Sequence, residues 1–188
     1  MEFTTEIPNE LYNSGMTNLR SIPIDAFIEA PLDFWDAKWL LLTSGEFSTG
    51  HYNAMTVSWG SLGVMWNRPF AQVVVRPQRY TFQFMEKYST FTLCLLKPEF
   101  HPALDLLGTQ SGRDSNKIAE AGLTPIAACV VAAPIYTQAA IALECRKVYW
   151  QDLDPNHFLN PSIQRHYPEK DYHRVYYGEV VAVTSPED

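Results

Sequence analysis

The stretch between Trp39 and Met85 constrains the fold most, because its hydrophobic pattern changes from strand-like to helix-like within one short segment. An apolar run, Trp39–Ser44, ends at a Ser-Gly turn signal, and Asn53–Trp59 then alternates small polar residues with apolar ones. Phe70–Val75 is a third apolar run, rich in β-branched residues and bounded by prolines. Such runs between turn signals are typical of strands. The sequence therefore predicts three consecutive strands joined by short turns.

A helix is predicted to follow the third strand. Phe82, Met85 and Tyr88 recur at the spacing of one helical face. A helix N-terminus carries N–H groups without partners and a partial positive charge. Arg79 and Thr81, which lie where this helix begins, are therefore a candidate phosphate site. The alternative is that Thr81 only caps the helix and that Arg79 is a solvated surface charge.

Two motifs stand at a fixed distance from each other in this part of the chain. The segment N-A-M-T-V-S-W at residues 53–59 follows T-S-G and precedes R-Y-T at residues 79–81, and H-R-V-Y-Y-G-E-V-V begins at His173. Together they resemble the flavin reductase-like family of FMN-binding split barrels, which includes flavoredoxin-type proteins, over about residues 39–183. The resemblance implies a mainly β fold with short helices, namely a split β-barrel of the antiparallel Greek-key type. It also implies a homodimer with FMN at or near the interface.

The resemblance further implies which residues hold the flavin. Thr56, Ser58 and the main chain of their strand are expected to bond to the flavin ring or ribityl chain, while Arg79 and Thr81 bind the phosphate. A Ser-Gly pair and a lysine in a later polar loop resemble the family's S-G…K pattern, although all three could be solvated loop residues. The predicted cofactor-binding residues are Asn53, Ala54, Met55, Thr56, Val57, Ser58, Trp59, Arg79, Tyr80, Thr81, Ser111, Gly112 and Lys117.

His173 is the candidate catalytic residue. In the family, a histidine at a similar place before G-E-V can lie near the active site, and His173 precedes Gly178-Glu-Val in the same way. The alternative is a strand histidine that is hydrogen-bonded at the rim of the barrel, since a neutral imidazole readily finds partners there.

The rest of the chain is expected to support one barrel. Residues 1–38, which contain several turn formers, are predicted to be a lead-in packed on a split-barrel domain at residues 39–188. Ile135–Trp150 could be strand or helix by periodicity, and the resemblance favours a strand. The other predicted elements are a strand at Phe91–Leu96, a helix at Pro98–Leu107, a loop at 108–116, a helix at Lys117–Ala121 capped by Asp114 or Ser115 and ended by Gly122, a loop at Asp152–Pro168, and a last strand at Tyr172–Thr184.

Charge and residue spacing exclude several classes of function. The net charge of −7 argues against general nucleic-acid binding, which needs a basic face. No apolar run approaches the length of a membrane span, and the acidic N-terminal residues lack the layout of a signal peptide, so no membrane association and a cytoplasmic location are expected. The five histidines show no metal-binding pair, and the three cysteines are expected to be structural thiols rather than disulfide or zinc ligands.

The expected function is that of an FMN-binding oxidoreductase, which passes electrons from NADH, NADPH or a protein donor through bound flavin to an acceptor. One alternative is a non-catalytic FMN-binding electron carrier without a nicotinamide site of its own, which would act with an electron-transfer protein partner. A third reading is a split barrel that has lost flavin and binds another planar ligand. The bulky G-V-M-W segment at residues 63–66 is expected to narrow the pocket and bears on that reading.

Overall fold

Antiparallel strands make up most of this computed structural model, which describes residues 19–22 and 33–186. The predicted lead-in at residues 1–38 thus lies mostly outside the described residues. A π-helical turn at Asp33–Ala37 precedes the barrel, and 3₁₀ turns lie at Pro98–Phe100, Pro155–His157 and Pro161–His166. The strands and α-helices are β1 (Leu19–Ser21), β2 (Leu40–Glu46), β3 (His51–Val57), β4 (Gly60–Met65), β5 (Arg68–Val75), α1 (Tyr80–Lys87), β6 (Thr90–Leu96), α2 (His101–Thr109), α3 (Lys117–Glu120), β7 (Pro125–Ile126), β8 (Ile135–Tyr136), β9 (Ala139–Asp152) and β10 (Arg174–Pro186).

The main sheet has the strand order β3-β2-β6-β9-β10-β5-β4, with β1 added to β10, and all of its pairs are antiparallel. Its two end strands, β3 and β4, are connected only by Ser58 and Trp59. Two residues span about 11 Å at most between the flanking Cα atoms, so the sheet must curl until its edges meet. The connection from β5 to β6 passes over β9 and β10, which is a Greek-key arrangement. The predicted antiparallel split barrel is confirmed.

Strand β2 is buried on both faces, because one face lines the barrel and the other lies under helices. Leu40 and Leu42 belong to the cluster that fills the barrel, together with Val73 of β5. Leu41, which points the other way, packs in a second cluster with Leu104 of α2. Successive side chains of a strand alternate between faces, so the continuous apolar run suits this doubly covered position. The second cluster fixes α2 against the outside of the barrel near β3.

Strand β4 was not predicted; it occupies most of the segment between the second and third expected strands and forms a hairpin with β5. Trp66 and Asn67 form its turn, with φ values of 55° and 57°. Two successive residues in the left-handed region are the geometry of a type I′ hairpin turn. The segment at residues 63–66 therefore ends β4 and begins this exposed turn.

Two other details differ from the expectations. Asn116, rather than Asp114 or Ser115, caps α3, because its Oδ1 accepts a hydrogen bond from the Ala119 N–H at 3.3 Å. The predicted strand at Ile135–Trp150 is divided, since its first two residues pair with β7 and only the part from Ala139 onward joins the main sheet. No helix in the described part is long and apolar enough to cross a membrane.

Candidate functional site

An open cleft of about 380 Å³ lies where α1 begins beside β3 and beneath the loop that follows α2. It brings together eight of the predicted cofactor-binding residues, which come from three separate segments of the chain. These eight are Asn53, Met55, Arg79, Tyr80, Thr81, Ser111, Gly112 and Lys117. The remaining lining residues are Arg76, Gln78, Leu107, Thr109, Gln110 and Arg113.

The start of α1 forms one wall of the cleft. A turn after β5, in which the Arg79 N–H donates to the Arg76 carbonyl at 3.1 Å, reverses the chain so that the helix begins at Tyr80. Arg79 has an extended backbone at the N-cap position and makes no side-chain capping bond. The first N–H groups of a helix have no intrahelical acceptor, so this wall offers hydrogen-bond donors and a partial positive charge.

A buried asparagine joins this wall to β3. Asn53 donates from Nδ2 to the Thr81 hydroxyl at 2.8 Å, and both side chains are almost fully buried. Gly112 of the loop lies directly on Asn53, because a Cβ atom added at Gly112 would collide with the Asn53 carboxamide. The glycine therefore lets the loop approach β3 closely, and the contact holds the three segments in one arrangement.

Arg79 and Lys117 line the cleft, and neither has a carboxylate partner among the described residues. Arg79 donates from Nη1 to the Gly108 carbonyl at 3.1 Å. The buried Lys117 ammonium donates to the carbonyls of Leu107 and Gln110 at 2.8 and 2.9 Å, which leaves one of its three N–H donors. Burial, helped by the nearby Arg79 charge, lowers the pKa of Lys117 to about 8. No Asp or Glu is among the described lining residues, so the cleft suits an anion.

Arg76, another cation of the lining, is held by contacts within the protein. Its Nη1 forms an ion pair with Asp171 at 2.7 Å, and its Nη2 donates to the His166 carbonyl at 2.8 Å. The guanidinium also lies 5.1 Å from the centre of the Tyr167 ring. Gln78 donates to the same Asp171 carboxylate. These contacts attach the segment between β9 and β10 to one end of the cleft.

The other predicted residues of β3 do not line this cleft. Ala54 and Val57 are buried in the two hydrophobic clusters. The Thr56 hydroxyl donates to the Leu104 carbonyl at 2.5 Å, which docks α2 on β3. Ser58 and Trp59 follow the end of the strand, where the indole of Trp59 is 47% exposed.

His173 is buried next to that exposed indole. Its ring centre lies 5.3 Å from that of Trp59, and its Nδ1 is hydrogen-bonded to the Tyr167 hydroxyl at 2.8 Å. Burial, helped by the charge of Arg76, lowers the pKa of His173 to about 4, so the imidazole is neutral at neutral pH. It does not line the cleft, and its catalytic role stays a prediction.

Sequence reasoning missed five polar lining residues: Arg76, Gln78, Thr109, Gln110 and Arg113. Arg76 and Gln78 belong to the R-P-Q-R segment that joins β5 to α1, and their closeness to a predicted phosphate site was the available signal. Gln110 and Arg113 lie in the loop around the Ser-Gly pair. Nothing in the spacing of that loop indicates which of its side chains face the cleft.

Comparisons with known proteins point to one family. A family model described as the flavin reductase like domain matches residues 38–188. The solved structure of an FMN-binding domain of a flavin reductases-like enzyme from Shewanella baltica OS155 has a TM-score of 0.65 and 17% identity, covering 90% of this chain and 78% of that one. Flavoredoxin of Desulfovibrio vulgaris (Miyazaki F) has a TM-score of 0.61 and 20% identity, with coverages of 79% and 69%. Flavoredoxin from Methanosarcina acetivorans has a TM-score of 0.61 and 23% identity, covering 80% of this chain and 69% of that one.

At these identities, the likeness to the solved structures shows a shared fold. The sequence has no significant match among the curated proteins.

Proposed function

The chain belongs to the flavin reductase-like family, and from this premise we propose that its cationic cleft binds FMN in a flavin-dependent oxidoreductase. One observation carries the proposal: Arg79, Thr81 and Lys117 meet at the N-terminal turn of α1 in a cleft whose described lining has no carboxylate. This donor set fits a phosphate group. In a chain with a net charge of −7, such a local positive site is selective for an anionic ligand.

The side chains at the cleft still have donors for a phosphate. Arg79 uses only Nη1 for the Gly108 carbonyl, and Lys117 keeps one N–H. The Thr81 hydroxyl, already an acceptor from Asn53, retains its own hydrogen as a donor. A charge-assisted hydrogen bond contributes about 1.5–3 kcal/mol. Three such bonds are therefore enough to hold the phosphate in place.

We place the flavin ring toward the end of β3, where Trp59 and His173 lie. Met55 lines the cleft between the phosphate donors and that end of the strand. Trp59 offers an exposed aromatic surface, and neutral His173, whose Nδ1 is bonded to Tyr167, keeps Nε2 for a hydrogen bond. When bound, FMN supplies the redox chemistry, accepting electrons from a donor and passing them to an acceptor. The protein positions the ring and limits the access of water to it.

The electron donor that we propose is NADH or NADPH, bound transiently. The second candidate is an electron carrier that holds FMN and receives electrons from a partner protein. It is favoured by the description of two structural neighbours as flavoredoxins.

An anaerobic absorbance titration tests the proposed function. Addition of FMN to the purified protein should produce a bound-flavin spectrum, and NADH or NADPH should then bleach the visible flavin band. Bound flavin that resists both donors and is reduced only by a protein donor would identify the carrier. A protein that does not bind FMN would contradict both candidates.

We also propose a homodimer with the flavin at or near its interface. The support is a patch of exposed apolar side chains on the β4–β5 turn and the second half of β9, where Trp66 is 57% exposed and its ring lies 6.1 Å from that of Tyr149. Exposed aromatic patches of this kind mark interfaces.

Light scattering should give twice the chain mass of 21.4 kDa. Trp66→Glu should yield a monomer. Leu159→Glu, at a residue that is 98% exposed, is the control and should stay dimeric. A monomeric wild type would contradict the proposal.

The affinity for FMN is expected to decrease as the pH rises through about 8, because the pKa of Lys117 is lowered to about 8. The ammonium form binds the phosphate, and at pH 9 only about a tenth of a group with this pKa is charged, so the dissociation constant should rise by about fivefold to tenfold between pH 7 and pH 9. Fluorescence titrations of the flavin at both pH values measure this change in the dissociation constant. Riboflavin, which has no phosphate, is the matched control, and an equal pH dependence for both ligands would remove Lys117 from the phosphate site.

A further inference from the structure

A second cleft, of about 440 Å³, adjoins the first one. The two clefts share five lining residues, so they are parts of one groove that continues beyond the phosphate site. The shared residues are Asn53, Tyr80, Gly112, Arg113 and Lys117. The residues that only the second cleft has include His51, Phe84 and Asp114. Trp59 and His173 line neither cleft, so the groove extends from the phosphate end and not from the proposed ring end.

Arg113 provides a further positive charge at the junction of the two clefts. Its guanidinium lies 4.8 Å from the centre of the Tyr80 ring, and Nη1 donates to the Gln78 carbonyl at 3.3 Å. Among the described residues, no carboxylate forms an ion pair with it. Most of its five N–H donors are therefore available to a ligand. A mononucleotide has one phosphate, which Arg79 and Lys117 already serve, so Arg113, at the junction with the second cleft, suits a second phosphate.

The outer wall of the second cleft is aromatic. The exposed His51 ring lies 4.9 Å from Phe84 with a tilt of 30°, and its Nδ1 is hydrogen-bonded to the Tyr88 hydroxyl at 2.6 Å. These two contacts hold the imidazole in one orientation. A fixed, exposed ring next to a phosphate site is a surface on which a nucleobase can stack.

Asp114 supplies an exposed carboxylate in the same cleft. Carboxylates accept hydrogen bonds from ribose hydroxyls and repel a 2′-phosphate.

We propose that the second cleft binds the adenosine 5′-phosphate unit of a dinucleotide without a 2′-phosphate. The base lies against His51, the ribose hydroxyls face Asp114, and the second phosphate contacts Arg113. The proposal rests on the proposed function, because the flavin mononucleotide part occupies the first cleft. Because the groove continues from the phosphate end, FAD is the favoured source of this unit, and NADH is the other source.

Titrations of FMN, FAD, AMP and NADH into the full-length protein and its variants test this inference. Base stacking predicts that FAD binds about fivefold to tenfold more tightly than FMN. AMP should compete with FAD for the second cleft and leave FMN binding unchanged. His51→Ala should abolish most of the preference for FAD while the FMN affinity stays within about twofold, since His51 lies outside the first cleft. His157→Ala, at a side chain that is 82% exposed and outside both clefts, is the matched control and should change neither affinity.

The outcomes separate this inference from the proposed function. Equal affinities for FMN and FAD together with an NADH affinity that does not depend on His51 would overturn the inference while leaving FMN binding intact. A preference for FAD that survives His51→Ala and Arg113→Ala would do the same. Arg113→Ala also keeps the test valid if the His51 variant does not fold. If the affinity for NADH, rather than for FAD, depends on His51, the adenosine unit belongs to NADH. A wild-type protein that binds neither flavin would overturn the proposed function itself.

Discussion

Replacement of Glu144 by alanine is expected to lower the free energy of unfolding by about 3–5 kcal/mol. The Glu144 carboxylate is fully buried on β9 and accepts hydrogen bonds from three successive backbone N–H groups, those of Cys129, Val130 and Val131, at 2.9, 2.7 and 3.1 Å. Burial raises its pKa and the three donors oppose that rise. Alanine would leave these donors without an acceptor and open a cavity under the loop at residues 129–131. A loss of this size is a large fraction of the total stability of a typical domain.

Denaturant unfolding followed by tryptophan fluorescence measures the effect, which corresponds to a decrease in Tm of about 10 °C for a chain of this size. Glu144→Gln keeps the shape and one acceptor oxygen but turns an NH₂ group toward an N–H donor, so an intermediate loss is expected. Glu169→Ala is the matched control, because Glu169 is exposed. A Glu144→Ala variant that is as stable as this control would show that the loop at residues 129–131 does not depend on the carboxylate.

The strands that the sequence did not predict correctly have identifiable local causes. The turn between β4 and β5 uses Trp66 and Asn67, and tryptophan lacks the conformational freedom of the glycine that usually marks such a turn. The run from Ile135 to Trp150 reads as one apolar segment because the residues of the turn between β8 and β9 are flanked by buried residues on both sides. Hydrophobic pattern thus located the central strands, where burial is two-sided, and failed where a turn lacks its usual residues.

The sequence identified the chain segments that form the candidate site, but not which side chains of each segment line it. A strand directs alternate side chains to opposite faces, so seven consecutive residues of one motif cannot all reach one ligand. Asn53 and Met55 line the cleft, whereas Ala54 and Thr56 lie on the face that α2 covers. Arg113 was out of reach for sequence reasoning because its position depends on how its loop folds over Asn53.

Arg79→Ala is expected to weaken FMN binding by tens-fold, because removal of one charge-assisted hydrogen bond to the phosphate costs about 1.5–3 kcal/mol. Arg79 is exposed at the start of α1 and its described side-chain bond is to the Gly108 carbonyl, so the fold should tolerate the change. Fluorescence titration of FMN into the folded variant measures the loss. Arg79→Lys should recover part of the affinity, since an ammonium keeps the charge but lacks the planar donor fork.

Two controls and one coupled effect make the Arg79 result specific. Riboflavin has no phosphate, so its affinity should be the same in wild type and variant, and Arg165→Ala, at an exposed arginine outside both clefts, should leave FMN binding unchanged. The Arg79 charge also lowers the pKa of Lys117, so its removal should raise that pKa. Because the ammonium then persists to higher pH, the decrease in the residual FMN affinity of the variant should begin at a higher pH than in the wild type. If FMN and riboflavin lose affinity equally, Arg79 acts on the ring or on the fold, and the phosphate must bind elsewhere.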